Sequence, residues 1–227
     1  MTTSKSPNKV ATVAYATAQQ SIPAYTHQFS PKKYTQHQLV AILVLKEFYT
    51  KDYRGITAIL EDSSDLQRIL ELNTIPHFTT LQKSATNLLK KKNIRKLISS
   101  TVTLAQKAKI LPKTSNLAAM DSTGFESGHT SRYFIKRRAK GNPSNYQQTT
   151  YKRFPKLGLM CDILSHIVTG TNTSRGPSVD ICHYKALVLD SLKILSIKTL
   201  LADAGYDSEE NHRWRKRRAQ HHNYYSP

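Results

Sequence analysis

The chain has 227 residues, enough for one large domain or two small ones, and 38% of them are hydrophobic, so a core is possible but modest. Its 34 Lys and Arg against 15 Asp and Glu give a formal charge of +19, clustered rather than scattered, which points to a nucleic-acid partner. The longest apolar run, Leu39 to Leu45, is far too short to span a bilayer, and no basic amphipathic segment, secretory leader or cysteine framework stands out, which leaves a protein of the cytoplasm or the nucleoid within it.

Residues 1–30 are rich in Ser, Thr, Ala and Gln, hold Pro7 and Pro23, and show no sustained period, so they read as a flexible arm. Residues 31–112 read as a helical, DNA-binding region. Thr35 and Gln38 form a capping pair ahead of a run that is apolar nearly all round, the pattern of a central buried helix. Further helices carry Leu66, Ile69 and Leu70, then Leu81, Ala85, Leu88 and Leu89, then Ile94, Leu97, Ile98 and Ala105. A helix-turn-helix-like piece spans Ile75 to Gln82. After Pro112 the period changes. Asn116 to Met120, Lys156 to Ile163, Ile167 to Thr173 and Lys198 to Ala202 are strand-like, while His183 to Ile194 and Ser208 to Arg218 look helical. Residues 136–153 read as an exposed loop. The fold class is therefore mixed α+β: an N-terminal helical bundle, then over residues 113–227 a mixed sheet flanked by helices.

Two carboxylates stand out. Asp121 follows Leu117-Ala-Ala-Met and Asp203 follows Ile197-Lys-Thr-Leu-Leu-Ala, each where a short apolar run gives way to small residues. No Asp or Glu occurs from Leu72 to Met120. Each Asp suits a turn or helix cap. Each also suits a divalent cation, since Mg²⁺ prefers carboxylate oxygens and phosphodiester chemistry needs such ions. Asp207 reads better as a turn residue.

Met120-Asp121-Ser-Thr-Gly124 and Leu201-Ala-Asp203-Ala-Gly-Tyr-Asp207-Ser208-Glu-Glu-Asn resemble the first and second aspartate blocks of prokaryotic insertion-sequence transposases of the DDE type. The stretch from Lys156 to Val168 resembles the strand pair between those blocks, and Arg175-Gly-Pro-Ser-Val-Asp180 the turn that follows. Residues 34 to 81 resemble the helical N-terminal region, so the likeness covers about residues 34 to 215. It implies a ribonuclease-H-like sheet, Asp121 and Asp203 as catalytic, metal-binding residues, Mg²⁺ or Mn²⁺ as the cofactor, transposon-end and target DNA as partners, and a homo-oligomer on DNA. It also implies a third acid, a Glu on a later helix, preceded by Tyr and Arg. Glu209 and Glu210 lie too close to Asp203 and lack that context. The expectation is thus a domain cut short before its third acid, and a chain inactive in cleavage by itself.

Two basic clusters suit DNA. Lys90, Lys91, Lys92, Arg95 and Lys96 form the first. Arg132, Lys136, Arg137, Arg138, Lys152 and Arg153 form the second, interleaved with Tyr133, Phe134, Tyr146, Tyr151 and Phe154, whose rings suit stacking on unpaired bases. The plainer readings are a solvated helix face and a loop. Cys161, Cys182, His166 and His183 lack paired metal-ligand spacing, so zinc is not expected. The alternative function is a catalytically dead DNA-binding fragment that recognises element ends or inhibits an intact transposase. A small nuclease using the same two aspartates is a third.

Overall fold

The computed structural model describes residues 5–29, 31–125, 154–176 and 178–221. The chain divides into two compact units, Met1–Leu111 and Pro112–Pro227.

The first unit is helical: α1 (Pro7–Ser21), α2 (Gln36–Phe48), α3 (Tyr53–Asp62), α4 (Ser64–Ile69), α5 (Phe78–Leu88) and α6 (Lys91–Lys107). Thr35 and Gln38 make the full capping box that opens α2. Seven residues of α2 are buried, so it is the central helix that its all-round apolar run predicts. Ile42, Leu45, Ile56, Leu60, Leu66 and Leu81 are almost wholly inaccessible. Each such side chain stabilises the fold by about 1.5–3 kcal/mol relative to leaving it exposed.

The expected flexible arm is not seen over residues 7–21. Ser6 caps α1, and Pro7 fills its first turn, where a missing N–H costs nothing. Ala11, Tyr15 and Ala18 form a buried stripe at helical spacing, and α1 packs on α2, α4 and α6. The Tyr15 hydroxyl donates to Glu71 Oε2 at 3.0 Å, just beyond α4. Small side chains give this face little hydrophobicity, which is why its period is faint in the sequence. The segment read as helix-turn-helix-like holds the turn before α5 and its first residues, with Arg54 stacked on Phe78, Cζ 4.5 Å from the ring centroid.

The second unit holds β1 (Thr114–Gly124), β2 (Phe154–Asp162), β3 (Val168–Gly176), α7 (Ile181–Leu192), β4 (Ser196–Ala202), a 3₁₀ turn (Ala204–Tyr206) and α8 (Glu209–His221). The sheet order is β3-β2-β1-β4; β2 is antiparallel to β1 and β3, and β4 is parallel to β1. α7 supplies the crossover that a parallel pair requires. Its Leu187 and Val188 pack on Ala118, Met120 and Met160, joined from α8 by Trp214. Gly170 lets α7 approach, because a Cβ there would lie 3.0 Å from the Leu187 carbonyl oxygen. His183 is wholly buried against the sheet, bonded to Asn172 at 3.2 Å and Ser174 at 2.9 Å. The order of strands and helices matches the sequence reading. The expected loop 136–153 lies outside the described residues.

Candidate active site

β1 does not stop at Asp121, as the small-residue run suggested. It continues to Gly124, paired with β2 as far as Lys156. What stops is its partner on the other side, since the last β1–β4 pair is Met120 with Ala202. Continuing that register by one residue sets Asp121 beside Asp203. Asp121 is the first residue of β1 beyond β4, and Asp203 the first residue beyond β4 itself. Ligands of open α/β sheets favour such carboxyl ends of parallel strands.

Both aspartates are exposed. Asp121 Oδ1 accepts from its neighbour Ser122 N–H at 2.7 Å. Asp203 Oδ1 accepts from Gly205 N–H at 3.1 Å, capping the 3₁₀ turn. Each carboxylate keeps a second oxygen outside these bonds. The turn-capping and ion-binding readings of Asp203 are therefore compatible.

A third carboxylate stands close by. Asp180 precedes α7 and pairs with Lys156 of β2 at 2.6 Å, while the Ser122 hydroxyl donates to it. The Lys156 and Ser122 bonds hold Asp180 below the usual carboxylate range. Tyr206 is 3% exposed, and its hydroxyl makes no hydrogen bond of normal geometry. Burial pushes that hydroxyl up to about 12; Ser122 opposes the shift, and the fields of Asp180, Asp121 and Asp203 add to it. At working pH Tyr206 is neutral. Signals for Asp180 and Lys156 did exist, inside stretches quoted for their resemblance, but nothing local shows that they meet.

Other acids of this unit among the described residues have partners of their own. Asp207 bonds His212 at 2.7 Å, Glu209 pairs with Arg213 at 2.9 Å, and Glu210 pairs with Lys185. Asp162 sits at the other end of β2, buried, taking bonds from Ser115 and Ser165. A cleft of about 360 Å³ opens beside Asp203, lined also by Tyr184, Tyr206, His212 and Arg215. Among the described residues no three His, Cys, Asp or Glu side chains form a group able to hold a metal. Two exposed carboxylates on adjacent strands still fit a hard, largely hydrated ion, because Mg²⁺ binds through one or two carboxylates and keeps several waters.

Of the basic residues, Lys90, Lys91, Lys92, Arg95 and Lys96 are found at the start of α6 in the first unit, and all five are exposed. Arg132, Lys136, Arg137, Arg138, Lys152 and Arg153 lie outside the described residues.

The second unit is thus a mixed sheet with two aspartates side by side where its parallel pairing ends. Residues 112–224 match the family described as the transposase DDE domain, and this unit makes the chain a DDE-type insertion-sequence transposase. No curated protein and no solved structure gives a significant match. No helix among the described residues is long and apolar enough to cross a membrane.

Proposed function

We propose that the protein acts on DNA in transposition, with Asp121 and Asp203 holding Mg²⁺ or Mn²⁺ for phosphodiester cleavage and strand transfer. The observation that carries this reading is the β1–β4 register, which sets the two aspartates side by side where the parallel pairing ends. A bound ion would activate water or a 3′-hydroxyl and stabilise the leaving oxygen. The chain's own part is to present two carboxylates on a rigid sheet. Met120 and Tyr206 back the strand ends with packed side chains. The arrangement of sheet and helices supports a ribonuclease-H-like domain.

The start of α6 supports DNA contact. Lys90 stands at the N-cap without a side-chain cap, Lys91 and Lys92 follow, and the first turn holds no acid. Cations at the positive end of a helix are disfavoured by about 0.3–1 kcal/mol each. A phosphate backbone relieves this, since helix N-termini and lysines both attract anions. That cluster also favours a second reading, a chain that binds element ends and does not cut unaided, because DNA contact needs neither aspartate.

Cleavage of DNA with Mg²⁺ by a protein carrying this unit and the implied third acid tests the first reading. Asp121→Ala and Asp203→Ala are each expected to abolish cutting and to leave DNA affinity unchanged, because neither removes a group that binds phosphate. Undiminished cutting with both aspartates replaced contradicts the assignment. Binding without cutting under every condition leaves the second reading standing.

A further inference from the structure

Ser122, Lys156 and Asp180 come from β1, β2 and the start of α7, yet meet at one carboxylate. Asp180 occupies the N-cap position of α7, where an Asp ordinarily accepts a backbone N–H of the first turn, but it makes no such bond. Its Oδ1 accepts from the Ser122 hydroxyl and pairs with Lys156 Nζ. Lys156 Nζ also donates to the Ser178 carbonyl at 2.6 Å, so the ammonium is held from two sides and is only 11% exposed. Asp180 Oδ2 faces the turn after β4. A Cβ at Gly205 would lie 3.1 Å from that oxygen and 3.1 Å from Asp203 Oδ1. The two carboxylates therefore flank one small space that a glycine leaves open.

We propose that Asp180 is a positioning residue for a divalent ion held by Asp121 and Asp203. Through Ser122 it pins the residue next to Asp121. Across Gly205 it abuts Asp203. Lys156 neutralises its charge, so this third carboxylate supports the pair without repelling it. Asp180 makes no cap because its backbone is helical, at φ −67° and ψ −29°, and its Oδ1 is engaged by the sheet. The inference rests on the reading of Asp121 and Asp203 as ion ligands.

The test uses the full 227-residue chain and Mn²⁺ alone, with affinity read by electron paramagnetic resonance. Amide exchange is followed over residues 119–124 and 203–208 by mass spectrometry. Asp162, buried in the same sheet and bonded to Ser115 and Ser165, is the control for a purely structural carboxylate. Asp180→Ala is expected to weaken Mn²⁺ binding by about tenfold, the usual cost of losing a group that orients a ligand, and to speed exchange in both segments. Asp162→Ala is expected to leave Mn²⁺ affinity unchanged. Asp180→Asn, which keeps an acceptor for Ser122, is expected to recover part of the loss. Unaltered affinity in Asp180→Ala and Asp180→Asn, or an equal loss in Asp162→Ala, overturns the proposal. If Asp121→Ala and Asp203→Ala bind Mn²⁺ as the wild type does, the ion-ligand reading itself has failed, and the proposal falls with it.

Discussion

Single carboxylates in this chain take opposite roles according to their neighbours. Burial pushes Asp162 up, but the bonds from Ser115 and Ser165 outweigh it and leave the group below the ordinary carboxylate range. A depressed folded value contributes stability above the ordinary carboxylate range, and that contribution is lost as pH falls through the folded value. Asp162→Ala is expected to cost about 1–3 kcal/mol at neutral pH, because it strips a buried acceptor from two hydroxyls. Urea unfolding at stepwise lower pH should show this gap closing below the ordinary range; a gap independent of pH would contradict the assignment. Asp121 and Asp203 are exposed and make single local bonds, so their placement costs the fold little and leaves oxygens for a ligand. They stand out in the sequence because each closes an apolar run. The pairing of Asp180 does not, since its partners Ser122 and Lys156 are remote in sequence and meet it only in the folded sheet.

At the scale of elements, the long periodic segments were legible and the small-residue ones were not. α2 declared itself through its apolar run and capping pair, and all four strands fell where the period changed after Pro112. α1 did not, because Ala11 and Ala18 carry its packing while polar residues surround them. The Ser6-Pro7 start was the available signal. Helix ends were equally hard to foresee. α2, α4 and α6 each finish with a left-handed residue, Thr50, Glu71 and Lys109, at φ 52°, 53° and 57°. After α2, Thr50 N–H bonds the Glu47 carbonyl and Lys51 N–H the Lys46 carbonyl, the pattern that glycine usually serves. A β-branched residue is strained there. Thr50→Gly is therefore expected to raise stability by about 0.5–1 kcal/mol, the relief of strain less the added freedom of the unfolded chain. Thermal unfolding checks this, and a lower midpoint would show that the strain is relieved in some other way.

Over the whole molecule, a charge of +19 makes association with a polyanion the dominant long-range interaction. DNA affinity should fall steeply with salt as counterions are released. Replacing Lys90, Lys91 and Lys92 by Gln is expected to weaken binding to all sequences alike and to flatten the salt slope by about 1 for each phosphate no longer neutralised. Titrations at several salt concentrations measure this, and an unchanged slope would remove α6 from the interface. An ion at Asp121 and Asp203 can be located directly. Replacing Mg²⁺ by Fe²⁺ with ascorbate and oxygen cuts a polypeptide backbone close to the bound metal, so the cut positions report the site directly. Cuts are expected near residues 121 and 203, suppressed by excess Mg²⁺ and absent from Asp121→Ala and Asp203→Ala. Cuts elsewhere, or the same cuts after both aspartates are replaced, would contradict an ion at this pair.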